Sequence, residues 1–205
     1  MKKLLIAVMI FIFVLFVLPA QVNLSAGGGF LLDVSMGNSI KADISGFSHS
    51  VTDNKTSFGV FVFFDAIFAE VDVYFLFGRS NMTGTGLLKG SGVGKYNTTE
   101  LGFNVLGKYP FLFGQISVYP LVGVSYNIVL SVEGESAGSG DYNQLGILGG
   151  TGIDFIMGRR LYIRGEALLH IRLANKAMKK LADEKGGKTT PGLGPQIKIG
   201  VGYRF

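Results

Sequence analysis

Apolar and polar residues alternate with a period of two along most of the chain beyond its first 26 positions. In one segment, Val71 and Val73 alternate with Asp72 and Tyr74. Because successive side chains of a strand point to opposite faces, this pattern predicts strands with one apolar and one polar face. Eight such segments occur, near residues 28–38, 56–65, 69–79, 99–109, 115–129, 143–156, 161–172 and 193–205. The second segment is apolar on both faces and has the weakest alternation.

The connections between these segments alternate between short and long. Short ones lie near 65–68, 110–114 and 157–160, and long ones near 39–55, 80–98, 130–142 and 173–192. An even number of antiparallel strands joined in this way is typical of a barrel that crosses a membrane. We therefore predict an all-β fold, an eight-stranded antiparallel transmembrane up-and-down β-barrel, with both termini on the side of the short turns. Alternation alone also allows a soluble sandwich or a soluble ligand-holding barrel.

Aromatic and glycine residues favour a barrel with lipid outside over the two soluble folds. Aromatic side chains stand on the apolar face near both predicted ends of the strands, where membrane interfaces hold them. They are Tyr109, Phe155, Tyr203 and Phe205 at the end of the short turns, and Phe77 and Tyr126 at the other end. The polar face is rich in glycine. A solvated face needs no small residues, whereas a crowded barrel interior does.

Charged residues of both signs share the polar face, and an eight-stranded barrel is narrow enough to be filled by side chains. Isolated buried charges are costly, so these charges must pair. A simple hairpin register brings Glu70 opposite Lys108 and Asp154 opposite Arg164. We expect a paired interior network made of Glu70, Asp72, Lys108, Asp154, Arg164, Glu166, Lys198 and Arg204. The competing interpretation of the same residues is an ion path or a proton relay.

The N-terminus has the pattern of a secretory signal peptide. Lys2 and Lys3 precede an uncharged apolar run over residues 4–18, and small residues follow. That run is short for a spanning helix, although a retained anchor helix is the alternative. We predict a signal peptide within residues 1–26, cleaved after Ala20 or Ala26, and one barrel domain over residues 27–205. The formal net charge of +5 includes both leader lysines, so it does not indicate a nucleic-acid partner.

The last eight residues carry the most specific motif. Lys198, Gly200, Tyr203 and Phe205 fill a pattern of polar, any, Gly, any, any, aromatic, any, aromatic. This resembles the C-terminal insertion signal of bacterial outer-membrane barrels. With the leader, the eight segments and the turn at 107–111, the chain resembles the OmpA-transmembrane-domain or OmpX-like class. The resemblance implies a place in the bacterial outer membrane with periplasmic termini, contact with outer-membrane lipid, and delivery through the barrel-assembly machinery. We expect no peptidoglycan-binding domain.

Candidate chemistry is sparse. Some small barrels are lipid-modifying enzymes that carry a His-x-Ser pair on one strand, but here His170 is followed by Ile171 and Arg172. The other histidine, His49, lies in a predicted loop. The chain has no cysteine, so it forms no disulfide and no thiolate metal site. We therefore predict no catalytic residues, no cofactor and no metal, and treat a lipid-modifying enzyme as the third and least favoured function.

The last long connection is the one with helical periodicity. Leu173, Ala177 and Leu181 recur at every fourth position, and basic residues surround them. Those residues are Lys176, Lys179, Lys180, Lys185 and Lys188. They are candidates for binding anionic lipid head groups, a surface glycan or a host ligand, and the alternative is a solvated loop that caps the barrel.

The predicted function is a filled barrel that acts as a structural scaffold and displays surface loops for interaction or adhesion. The alternative is a narrow channel for ions or small solutes. Two further strands hidden within 80–98 or 173–192 would widen the lumen and favour that channel.

Overall fold

The computed structural model describes residues 24–44, 47–66, 68–85, 94–132, 139–184 and 186–205. Most of the predicted signal peptide, with the candidate cleavage site after Ala20, lies outside these residues. The second candidate cleavage site, after Ala26, lies inside the first strand.

Strands make up most of the described chain. They are β1 (Leu24–Ile44), β2 (Phe47–Ala66), β3 (Ala69–Thr85), β4 (Gly94–Lys108), β5 (Phe111–Phe113), β6 (Ile116–Val132), β7 (Gln144–Met157), β8 (Leu161–Arg172), β9 (Lys188–Thr190) and β10 (Gly192–Arg204). A short 3-10 helix (Ser139–Tyr142) precedes β7, and the helix α1 (Lys176–Glu184) follows β8. None of the described helices is long and apolar enough to cross a membrane.

Eight of these strands close into an antiparallel ring, which confirms the predicted barrel. The ring runs β1-β2-β3-β4-β6-β7-β8-β10, and β10 returns to pair with β1. Phe30 lies opposite Ile199 at this closing seam. Within the described residues, β5 pairs with β6 and β9 pairs with β1 at Ser39 to Lys41, so neither short strand widens the ring.

Two long connections were predicted too long. Residues 39–44 and 47–55 belong to the two strands of a hairpin, because β1 continues to Ile44 and β2 begins at Phe47. Likewise β3 continues to Thr85 and β4 begins at Gly94, which shortens the connection predicted over 80–98. The strand extensions are polar on both faces in many places, so they lack alternation. Their backbone hydrogen bonds form regardless of side-chain polarity. A β-bulge between Ser35 and Asn38, with Gly37 at φ +74°, marks where β1 leaves the alternating region.

The apolar face of the barrel points outward and forms a continuous band. Phe30 is 75% exposed and Val122 is 65% exposed, while their strand neighbours Leu31 and Leu121 are buried. We take the parts of the strands that carry this band as membrane-spanning. They are residues 26–36, 56–66, 69–77, 101–108, 116–128, 145–157, 161–171 and 193–205.

Aromatic side chains line the end of the barrel that carries the short turns. The ring of Tyr109 lies 5.9 Å from that of Phe68 and 5.2 Å from that of Phe111, and Tyr203 lies 5.5 Å from Phe205. The six aromatics expected at the two interfaces all have their side chains exposed on the outside. This distribution fits an interfacial belt.

The second segment is apolar on both faces because the lumen itself has apolar layers. Phe61 and Phe63 point inward and pack with Leu31, Tyr74 and Leu76. A second apolar cluster in the lumen is made of Leu106, Tyr119, Leu121, Leu148 and Leu168. Polar and apolar layers therefore fill the interior together.

Glycines of the inner face make room for tyrosine rings. Tyr119 lies opposite Gly152 on the next strand, and the ring of Tyr119 lies where a Cβ of Gly152 would stand. Two other inward tyrosines repeat the arrangement, Tyr74 over Gly102 and Tyr162 over Gly202. The glycine-rich polar face is thus explained by packing inside the barrel.

This packing predicts that Gly152→Ala destabilises the barrel. The added methyl group must displace the Tyr119 ring, and overpacking of this kind costs about 1–3 kcal/mol. Urea unfolding of the protein in lipid vesicles measures the loss. The matched control is Gly149→Ala on the same strand, where a Cβ meets no atom within 4 Å. Equal stability of the two variants would show that the Tyr119 ring has room to move.

Candidate functional site

Arg164 on β8 is the centre of the buried charges. It is fully buried, and its five N–H groups are well suited to several carboxylates at once. Its Nε lies 2.8 Å from Asp154 Oδ1 on the neighbouring strand β7. Its Nη1 lies 2.6 Å from Glu70 Oε2 on β3, and its Nη2 lies 2.6 Å from Asp65 Oδ2 on β2. Because β8 does not pair with β2 or β3, Arg164 bridges the lumen from wall to wall.

Lys198 on β10 forms the second centre. Its ammonium contacts Asp72 and lies 2.7 Å from Glu166 Oε2 and 3.5 Å from Glu70 Oε1. Glu166 is its partner on the adjacent strand β8, whereas Asp72 and Glu70 lie on β3. Glu70 therefore accepts from both Arg164 and Lys198 and joins the two centres.

Lys108 joins the same cluster through a different register from the predicted one. The structure pairs Glu70 with Leu106, so the prediction that Glu70 lies directly opposite Lys108 is wrong by two residues. A shift of two keeps both side chains inside, and the long lysine still reaches to 3.7 Å from Glu70 Oε2. Its nearer partner is Asp65, which sequence reasoning did not select. The structure pairs Asp154 with Arg164, as predicted.

Arg204 lies apart from these ion pairs. Among the described residues it makes no salt bridge, and its guanidinium stands 5.3 Å from the centre of the Tyr162 ring. It is half-buried and borders a cavity of about 160 Å³ at the turn end of the barrel, together with Asp65, Lys108 and Asp154. The structure thus brings together seven of the eight residues selected from the sequence and leaves Arg204 at the mouth.

The network continues toward the other end of the barrel through residues that were not selected. Asn104 donates to Asp72 at 3.0 Å and to Gln196 at 3.2 Å, and Gln196 donates to Asp33 Oδ2 at 3.3 Å. Asp33 also contacts Arg172. All of these residues occupy inward positions, so period two assigns them to the lumen. Their pairing across the lumen is not visible in the sequence because the partners lie on non-adjacent strands.

Three residues in the half of the lumen far from the short turns have the order of a hydrolase triad. Ser125 Oγ lies 2.8 Å from His170 Nε2, and His170 Nδ1 lies 3.3 Å from Asp33 Oδ2. Ser125 on β6 and His170 on β8 meet across Gly146 of β7, where a side chain would overlap both. Ser125 is 2% exposed and His170 is 1% exposed, so a substrate has no access to the hydroxyl in this conformation. We assign the arrangement to the polar packing of the lumen.

At the mouth of the barrel far from the short turns, a second group of charges lies beyond the membrane-spanning segments. Lys55 forms an ion pair with Glu100, and Tyr96 donates to Asp53 Oδ2 at 3.2 Å. Burial raises the pKa of the Asp53 carboxyl above its ordinary value, although the Lys55 ammonium acts in the opposite direction. A cavity of about 40 Å³ lies among these residues, enough for a few water molecules. The described side chains therefore leave little space in this cavity.

The basic residues of the last long connection stay at the surface. Lys176, Lys179 and Lys180 are exposed on α1, Lys188 is exposed on β9, and Lys185 lies outside the described residues. Helix α1 begins where Asn175 Oδ1 accepts the N–H of Met178 at 2.8 Å, and it buries Ala182. Leu173, expected on this helix, precedes it. The predicted binding role of these lysines stays a prediction.

The residues of the C-terminal motif divide between the two faces of β10. Lys198 is in the ion-pair network, and Gly200 faces the lumen beneath Phe61. Tyr203 and Phe205 face outward, and the N–H of Phe205 donates to Leu24 O at 3.0 Å. The role of these residues in insertion stays a prediction.

The closed ring, the outward apolar band and the polar lumen define an outer-membrane β-barrel fold. The chain is similar to the crystal structure of the outer-membrane protein OprG from Pseudomonas aeruginosa. The two share 18% sequence identity over 90% of this chain and 96% of that chain, with a TM-score of 0.51.

Two solved structures from Escherichia coli also match, at lower TM-scores. The solution structure of outer membrane protein W has 13% identity over 87% of this chain and 98% of that chain, with a TM-score of 0.39. The outer membrane protease OmpT has 9% identity over 92% and 98%, also with a TM-score of 0.39. No protein-family model and no curated protein matches the sequence. The narrower OmpA or OmpX-like resemblance stays a prediction.

Proposed function

We propose that the protein is a scaffold of the bacterial outer membrane whose lumen is closed by its own side chains. The outward apolar band supports a place in the membrane. The short turns and the aromatic belt lie at the same end of the barrel as Leu24 and Phe205, which supports periplasmic termini. Assembly would then proceed through the barrel-assembly machinery, which recognises the C-terminal strand.

One observation supports a closed lumen. Arg164 and Lys198 are both fully buried, and their ion pairs with shared carboxylates connect β2, β3, β7, β8 and β10 across the interior. An eight-stranded barrel has little interior space beyond its side chains. An ion that crossed the lumen would have to separate these pairs in a site of low dielectric constant, where their attraction is strong. The network therefore acts as a plug and as a brace for the wall.

The surface-displaying part of the scaffold is the wall beyond the apolar band. There the hairpin of β1 and β2 rises to Ile44 and Phe47, and α1 packs against β1 and β9. This extension presents Lys176, Lys179 and Lys180 to solvent, where we expect a glycan or a host ligand with negative charge to bind. Interaction at this end is the role that we propose for the scaffold.

A narrow cation channel is the second candidate, favoured by the charge balance of the lumen. Around Arg164, Lys198 and Lys108, the described residues include five interior carboxylates, which exceed the three cations. These carboxylates are Asp65, Glu70, Asp72, Asp154 and Glu166. A lumen that opened would therefore prefer cations.

Conductance separates the two candidates. The protein is reconstituted into planar bilayers, and its heat-dependent gel mobility confirms that it is folded. We expect no stable openings, because the ion pairs remain closed on the recording timescale. Reproducible cation-selective openings from folded protein would contradict the scaffold function and favour the channel.

A further inference from the structure

A groove of about 540 Å³ lies on the outside of the barrel, where β1 to β4 leave the apolar band. Arg79 on β3 and Lys95 on β4 line it, with Asn81 between them and Met36 at its edge on β1. Asn81 and Lys95 are directly opposite each other on the paired strands. The groove belongs neither to the lumen nor to the surface formed by α1.

The groove is positively charged and its charges are available. Arg79 and Lys95 are both exposed, and none of the described residues that line the groove is a carboxylate. Neither side chain forms a salt bridge with another described residue. Lys55 also borders the groove, but its ammonium is paired with Glu100 on the inner side of the wall. The free positive charge is therefore that of Arg79 and Lys95.

Apolar surface lies directly below these two cations. Phe77 precedes Arg79 by two residues on the same face of β3, a rise of roughly 7 Å. Its ring lies 6.1 Å from that of Phe58 on β2, and both rings are exposed. A molecule bound here would meet apolar rings at one end and a guanidinium with an ammonium at the other.

The opposite flank of the barrel carries exposed leucines where the apolar band ends, namely Leu130, Leu145, Leu173 and Leu193. Exposed lysines also lie at this end of the barrel, on α1 and β9. The groove is distinguished from them because its two cations lie directly above the exposed rings of Phe58 and Phe77.

We propose that this groove binds a phosphorylated glycolipid of the outer leaflet. Its phosphate would lie between Arg79 and Lys95, because a planar guanidinium donates to phosphate in a bidentate manner and an ammonium adds a second charge. Its acyl chains would pack on Phe58, Phe77 and Met36, and the amide of Asn81 faces the sugar hydroxyls. The inference rests on the proposed place in the outer membrane.

The test is lipid binding by native mass spectrometry of the full protein released from mixed bilayers. The bilayers contain lipid A with both phosphates or its dephosphorylated form. The variant Arg79→Gln with Lys95→Gln removes the groove charges, and the control variant Lys41→Gln with Arg159→Gln removes the same charge from exposed positions outside the groove and α1. We expect the groove variant to retain about tenfold less lipid A, as the loss of charge-assisted hydrogen bonds implies. The control variant should match the unaltered protein, and dephosphorylated lipid should be retained weakly by all three.

Equal retention of lipid A by the groove variant, or retention that does not depend on phosphate, would overturn the inference. The heat-dependent gel shift is measured on the same bilayers. If the protein inserts but shows no lipid preference, only the proposal for the groove is contradicted. A protein that fails to insert removes the outer-membrane proposal and the groove with it.

Discussion

Replacing Arg164 with methionine is expected to lower the free energy of unfolding by roughly 3–5 kcal/mol, the range for breaking one side of a buried ion pair. The loss arises because Asp65, Glu70 and Asp154 stay in the lumen without their shared partner. Methionine retains part of the packing against Phe63, whose ring centre lies 4.4 Å from the guanidinium. The effect is therefore electrostatic in the main.

Urea unfolding in lipid vesicles, followed by gel mobility and far-ultraviolet circular dichroism, measures this loss. Arg159→Met is the control, since Arg159 is exposed in the turn between β7 and β8. Arg164→Lys keeps the charge but cannot reach three carboxylates with a planar fork, so an intermediate loss is expected. If Arg164→Met and Arg159→Met unfold at the same urea concentration, the network is not what braces the wall.

Placing an arginine at Val122 is expected to destabilise the barrel by about 2–4 kcal/mol, the cost of a charge on a lipid-facing site near the midplane. Val122 is outward and near the middle of the apolar stretch of β6. The matched control, Ser131→Arg, is exposed on the same strand beyond the band, where we expect little change.

The same unfolding experiment in lipid vesicles compares the two variants. In a barrel surrounded by water, an exposed residue such as Val122 would tolerate arginine within roughly 0.5 kcal/mol. Indistinguishable stabilities for the two arginine variants would therefore contradict the membrane-spanning assignment of β6.

The wall of the barrel could be predicted from the sequence because membrane strands have a simple rule. Because one face of each strand contacts lipid and the other faces the lumen, apolar and polar residues alternate with a period of two. That period located all eight strands of the ring. The rule ends where lipid ends. Beyond Met36 on β1 and before Thr56 on β2 both faces can be polar, so the extended hairpin was predicted as a loop.

The lumen could be predicted only in part. The period of two placed Arg164, Glu70 and Lys198 on the inner face. The pairing of adjacent strands gave Asp154 as a partner of Arg164. Contacts across the lumen depend on the curvature of the ring, which sequence spacing does not encode. For this reason Asp65 was missed, and so was the Ser125–His170–Asp33 arrangement, whose members come from three non-adjacent strands.

The seam between β1 and β10 constrains the order in which the barrel can form. Ser25 on β1 pairs with Arg204 on β10. The second edge of β1 therefore stays unpaired until almost the whole chain is present. Pairings of such high contact order form slowly, and an unpaired strand edge is not tolerated in hydrocarbon. Insertion must therefore be concerted with closure, and a chain lacking β10 would leave β1 as an open edge rather than form a smaller barrel.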